Sequence, residues 1–181
     1  MAEWIAAGAA LLGLAYAVLT YNRLVGLRTR TAQAWASVDV QLRRRQELIP
    51  NLVEAARGYL QHERALFDEL AETRARAAAA GDDVPARSAA EGRLAAAVDA
   101  VVLRAEAFPD LKGSEPMLRL QEDLTSAESR IAMARRHFND SVLDYNIAVS
   151  TFPALVVAGA CGLRRRDMFA AADPAAQASG G

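Results

Sequence analysis

Ser114 to Phe152 reads SEPMLRLQEDLTSAESRIAMARRHFNDSVLDYNIAVSTF, and the spacing of its apolar side chains decides the fold. Met117, Leu120, Leu124, Ala127, Ile131, Ala134, Phe138, Val142, Tyr145, Val149 and Phe152 recur at steps of three and four residues. That period places them on one face of an α-helix. A stripe held over such a length calls for knobs-into-holes packing against other helices. The expected class is therefore all-α: an N-terminal transmembrane helix followed by an antiparallel four-helix bundle with long helices. Ser114 is positioned to cap the last of them.

Moving toward the N-terminus, Leu94, Val98, Val101, Ala105 and Phe108 mark a third helix that stops at Pro109 and turns through Asp110 to Gly113. Val53, Ala56, Leu60, Phe67 and Leu70 mark a second, closing where Ala77 to Ala80 meets Gly81, with Asp82, Asp83 and Pro85 as turn and restart. The first carries Leu24, Leu27, Ala34, Val38 and Leu42, with Thr31 in the gap. It is expected to end near Pro50, because proline disfavours the α conformation at Ile49 and lacks the amide of a continuing helix. A kinked helix running through Pro50 is the alternative. The expected divisions are a transmembrane anchor over residues 1–21, a bundle over 22–152, an apolar and basic membrane-proximal segment over 153–169 and a disordered tail over 170–181.

The anchor reads WIAAGAALLGLAYAVLTY from Trp4 to Tyr21, without a charged side chain. At 1.5 Å per residue this is roughly 27 Å of helix, close to a hydrocarbon core of about 30 Å. Trp4 and Tyr21 suit the two interfaces. Two rivals are a buried core helix, disfavoured by apolar residues on every face, and a cleaved signal peptide with a small-x-small site at Ala15-Tyr16-Ala17. The latter lacks a basic n-region and carries Glu3 instead. Arg23, Arg28 and Arg30 follow the anchor with no acidic residue before Asp39. The positive-inside rule then gives a single-pass protein of the cell membrane, its N-terminus outside and its helical domain cytoplasmic. Ala9, Gly13 and Ala17 repeat at four-residue steps, a pattern that lets helix backbones approach in lipid, so self-association into a homo-oligomer is expected through this face.

Composition agrees with one helical domain. The chain has 181 residues, 52% hydrophobic but only 6% aromatic, a balance of small side chains that favours close-packed helices over a β-sheet. A net charge of −1 points to no strongly charged partner, and the cations are nearly all arginine, with Lys112 the single lysine. Cys161 is the only cysteine, which rules out an internal disulfide and a cysteine-based metal cluster.

The sequence offers little for catalysis. No glutamate has histidine three residues on, as a di-metal bundle site needs. His62-Glu63 lacks a second histidine at Leu66, and His137 follows Arg135 and Arg136, whose charges oppose a cation. Ser126, Ser129 and Ser141 lie along a helix rather than at a nucleophile elbow. Of the basic triplets Arg43-Arg44-Arg45 and Arg164-Arg165-Arg166, the first forms a ring of charge around its helix rather than a stripe. With no aromatic stacking platform and no excess basic charge, nucleic acid is not an expected partner. The expectation is a non-enzyme with no cofactor and no metal. Gln33, Asp39, Gln41 and Arg45 on the first helix, and Asn139 and Asn146 on the last, fall at or beside core positions. If buried they must pair, and such pairs set register more than they add stability.

Phe152 to Leu163, FPALVVAGACGL, is too short to span a bilayer yet too apolar for an ordinary tail. Followed at once by Arg164, Arg165 and Arg166, it suits the cytoplasmic membrane interface.

Several strings are distinctive together: YNRLV (Tyr21 to Val25), AWASVDVQLRRRQELIPNLVEAARGY (Ala34 to Tyr59), AFPDLK (Ala107 to Lys112), LQEDLTSAESRIAMARRHFND (Leu120 to Asp140) and YNIAVSTFP (Tyr145 to Pro153). In these the chain resembles the LemA family of bacterial membrane proteins, from the anchor to about Phe169. The resemblance implies a membrane helix followed by a four-helix bundle and no established enzymatic activity. Where the family often ends in an apolar segment with phenylalanines, this chain has Cys161 to Phe169. The expected role is a membrane-anchored scaffold or partner-binding module, with membrane lipid, copies of itself and other membrane proteins as partners. A membrane-tethered enzyme or accessory subunit with a polar site in the bundle is the alternative.

Overall fold

The computed structural model describes residues 1–170. From residue 171 on, the expected disordered tail lies outside the described residues. Among these, six helices and no strand occur: α1 (Ala2–Arg57), α2 (Arg64–Ala79), α3 (Val84–Ala105), α4 (Pro109–Lys112), α5 (Glu115–Ser150) and α6 (Ala154–Ala160). The all-α expectation holds.

The expected corner at Pro50 does not. α1 runs through Pro50 to Arg57, and the helix break falls in residues 58–63 instead. A proline inside a helix costs about 3 kcal/mol, but Ile49, Leu52 and Ala56 lie on one buried face of α1 while Pro50 itself is exposed. Burying Ile49 and Leu52 recovers about 1.5–3 kcal/mol each, so the continuous stripe outweighs the local penalty. The Ala56 carbonyl then accepts from the amides of both Tyr59 and Leu60, and Leu60, 1% exposed, pins the turn to the core.

The chain forms two compact units. One comprises residues 37–135 with Phe169 and Ala170; the other comprises Met1–Ala36 and Arg136–Met168. In the first, Leu52 of α1, Leu70 of α2, Leu94 and Val101 of α3, Leu111 of α4 and Met117 of α5 share one core, each no more than 1% exposed. α2 and α3 pack together. Gly81 takes φ +62, a left-handed conformation that glycine adopts without strain, and Asp83 caps α3 by accepting from the Ala86 amide at 3.0 Å. Ser114 departs from its expected role: its carbonyl accepts the Leu118 amide, but its hydroxyl donates back to the Leu111 carbonyl. Pro109 to Lys112, expected as a turn, makes one helical turn.

In the second unit Leu24, Tyr145, Ala148, Val149 and Ala158 form a small core, with Leu27 and Leu163 against it. Trp35 packs on Phe138 with ring centroids 5.2 Å apart. The apolar stripe of α5 is buried from Met117 to Val149 apart from the half-buried Ala134, but Phe152 is 78% exposed. α5 ends at Ser150 and α6 leaves at 93° to it, so Phe152 falls beyond the face it was expected to extend. α6 closes in a Schellman turn. Gly162 has φ +66, and the Leu163 amide donates to the Ala158 carbonyl at 2.9 Å.

Candidate functional site

Three places in the structure carry more than packing: a buried ionic network, a clasp on the segment after α6, and the apolar start of α1. The network lies in the unit of residues 37–135. Arg45 of α1, 2% exposed, donates through Nη2 to Glu91 Oε2 at 2.5 Å and to the Glu91 carbonyl at 3.0 Å, and through Nη1 to Glu128 Oε1 at 2.6 Å. Glu91 on α3 is 3% exposed. Its second oxygen accepts from Gln46 Nε2 at 2.7 Å and faces Arg87 Nε at 3.3 Å. Arg87 in turn donates to Asp39, which also accepts from Arg43. The chain of charges is thus Arg43, Asp39, Arg87, Glu91, Arg45, Glu128, spanning α1, α3 and α5.

Such a network is costly to disturb and weak as a net source of stability, because the Coulombic gain is offset by stripping water from the charges. Arg45 Nε and Gln41 Oε1 are buried without a hydrogen-bond partner among the described residues, which adds to that cost. Arg45 meets both carboxylates at once and so ties α1 to α3 and to α5.

Nearby charges feel it. Asp99 has its carboxyl raised above its ordinary value of 3.8, first by loss of hydration near the helix packing, then by the negative charge of Glu128, with Arg45 opposing. Arg135 is lowered, mainly by burial, Glu128 opposing and Arg45 adding. Its guanidinium stacks 4.7 Å over the Phe169 ring and donates to the Ala170 carbonyl.

A cavity of about 60 Å³ opens beside Arg45, Glu91, Glu128, Arg135 and Phe169. That is room for a water or two at about 30 Å³ each, far below the roughly 300–1,000 Å³ of a small-molecule site. Larger hollows, of about 680 Å³ along Asn51, Glu54, Arg119 and Asp123 and about 970 Å³ along Arg57, His62, Arg64 and Asp68, are open grooves. Among the described residues no group of three histidine, cysteine or acidic side chains stands close enough to hold a metal ion.

The clasp lies in the other unit. Asn146, 6% exposed, uses its carboxamide twice on the backbone of Arg166: Nδ2 donates to the carbonyl and Oδ1 accepts from the amide, both at 2.8 Å. The Arg166 guanidinium reaches Thr31 Oγ1 at 3.1 Å. Arg164 and Arg165 are exposed.

Of the polar residues expected near the core, Arg45 and Asn146 are buried, Asp39, Gln41 and Asn139 are half-buried, and Gln33 is exposed. Arg45 and Asn146 find their partners outside that set. Glu91, Glu128, Arg87 and Gln46 went unanticipated, although Glu91 extends the α3 stripe three residues before Leu94 and Arg87 stands one turn earlier. Trp4 is 83% and Tyr21 43% exposed, Ala9 and Gly13 are exposed, and Ala17 is half-buried. α1 holds the one described helix apolar and long enough to cross a membrane by itself, and none of its 18-residue apolar window is buried.

Residues 34–179 match the LemA family. This chain belongs to that family. It is also similar to curated proteins named magnetosome protein MamQ: 23% identical to that of Magnetospirillum gryphiswaldense over 177 residues, covering 84% of this chain and 65% of the relative. It is 22% identical to MamQ 2 of Paramagnetospirillum magneticum over 181 residues, covering 86% and 66%. The LemA-family chain described here therefore spans just under two thirds of the length of these relatives.

Proposed function

We propose that this LemA-family chain is a membrane-anchored helical scaffold or partner-binding module, non-catalytic and self-associating, single-pass in the cell membrane with its N-terminus outside and its helical domain in the cytoplasm. The domain is read as an antiparallel four-helix bundle, supported by the stripes of α1, α2, α3 and α5 around one core. The observation that carries the proposal is the contrast along α1, which has no buried residue in its apolar N-terminal window while its later turns are core. Such a surface is stable only in lipid or against another apolar surface.

Arg23, Arg28 and Arg30 support the orientation. The 60 Å³ cavity beside Arg45, too small for a substrate, supports a non-catalytic role over a polar catalytic site.

Self-association is assigned to the Ala9, Gly13 and Ala17 face together with other apolar surface of the anchor. A Cβ added at Gly13 meets no atom within 4 Å, so a side chain there starts into open space. Gly13→Ile should reduce the oligomer measured by light scattering in detergent. An unchanged mass would remove the anchor as an interface. Crosslinking in living cells then identifies the other membrane proteins it holds.

A further inference from the structure

We infer that the unit containing the anchor carries a binding site for the phosphate of an anionic lipid headgroup, formed by Arg28 of α1 and Arg164 and Arg165 after α6. The inference rests on the membrane-anchored reading above. A hollow of about 240 Å³ is lined by Arg28, Tyr145, Leu163 and the three consecutive arginines 164–166, and no carboxylate is among its lining residues. Four guanidinium-bearing residues around one hollow repel one another unless an anion joins them, and guanidinium matches phosphate geometry.

The arrangement is built rather than incidental. Gly162 at φ +66 turns the chain out of α6, and the Asn146 carboxamide fixes the Arg166 backbone at two points. The Arg166 side chain is occupied with Thr31. The side chains of Arg28, Arg164 and Arg165 have no partner among the described residues.

The position along α1 favours a lipid over a free anion. Arg28 lies seven residues past Tyr21, roughly 10 Å along the helix, just beyond a polar headgroup layer of about 5–7 Å per leaflet, and long arginine side chains reach back across that gap. α6 places its Ala158 in the same small core as Leu24, one turn nearer the anchor than Arg28, and exposes Leu155 and Val156, with Phe152 before it. Apolar side chains at that level, with arginines one turn further from the bilayer, fit an interfacial helix over a charged lipid surface.

Full-length protein in detergent micelles is mixed with phosphatidylglycerol or phosphatidylcholine, and the affinity for the first bound lipid is read by native mass spectrometry. The expected order is phosphatidylglycerol well above phosphatidylcholine. Each arginine near the surface is worth about fivefold, so the double substitution Arg164→Ala, Arg165→Ala should weaken phosphatidylglycerol by about 25-fold and Arg28→Ala by about fivefold, with phosphatidylcholine unchanged. Equal phosphatidylglycerol affinity in wild type and the double variant would overturn the site. Displacement of the lipid by millimolar inorganic phosphate would reassign it to a soluble anion and overturn the lipid. The variants should still resist alkaline extraction from membranes. Extraction of wild type and variants alike would instead overturn the anchor and this inference with it.

Discussion

The first twenty residues of α1 and its stretch from Ser37 to Arg57 belong to one helix but to two chemistries. In the first, Trp4, Ile5, Leu11, Leu12 and Leu19 are each at least 67% exposed and no residue of the apolar window is buried; in the second, Leu42 and Leu52 are sealed at 1% or less while charged neighbours face out. Helix propensity does not separate them, since the alanines and leucines of the first and the arginines, glutamates, glutamines and leucines of the second are all good helix formers. The angular distribution of polar residues does: a helix apolar all round requires an apolar solvent, and a striped one makes its own core. On the proposed membrane-anchored reading, the apolar portion contributes location and the striped portion contributes fold.

That division predicts that substitutions act on different readouts. The largest effect on folding is expected at Arg45. Arg45→Ala strands Glu91 in the core, and breaking a buried pair from one side costs about 3–5 kcal/mol, so denaturant unfolding should show a loss near the lower figure because Arg87 and Gln46 still hold Glu91. The paired change Arg45→Met, Glu91→Leu should recover most of it. If the single change were as mild as the double, the network would not be tying α1 to α3.

Next comes Leu52→Ala, at 0% exposure, expected to lose about 2 kcal/mol, the lower end for truncating a buried leucine. Leu12→Ala, at 75% exposure, should leave the unfolding midpoint where it is. Equal losses at the two sites would erase the contrast between the ends of α1.

Much of this was legible from periodicity. The α5 stripe and the Gly81 and Asp83 boundary signals correspond to observed features because each is a local rule acting on neighbouring residues. Pro50 misled because its penalty is local whereas the burial of Ile49, Leu52 and Ala56 that overrides it is tertiary. Arg45 stood out on an apolar stripe, but Glu91, Arg87 and Glu128 did not. A carboxylate on a helix reads as solvated until the facing arginine is known, and facing is a property of the fold. The Asn146 clasp on Arg166 joins residues 20 apart through a side chain and the backbone, which no pattern of residue types reveals.

The smallest expected effect is at Asp99, on the solvent edge of the network. Its carboxyl is raised in the folded protein, so the folded state holds that proton more tightly than the unfolded one. The associated stability is present below the ordinary value of 3.8 and is lost as pH rises through the raised one. At neutral pH the ionised group is a burden, and Asp99→Asn should stabilise by a surface-sized amount, within about 0.5 kcal/mol. The gain should vanish in acid below that ordinary value. A variant stabilised equally at both pH values would assign the effect to something other than the charge.

The division of labour along α1 is tested most directly by removing residues 1–21 and following the protein through alkaline membrane extraction and a thermal melt read by circular dichroism. The account predicts that full-length protein stays in the membrane pellet, whereas the truncated chain moves to the supernatant and keeps a strongly helical spectrum with a cooperative melt, because its cores from Leu24 onward are intact. A truncated chain that remained in the alkali-washed pellet, or one released without a cooperative melt, would contradict it.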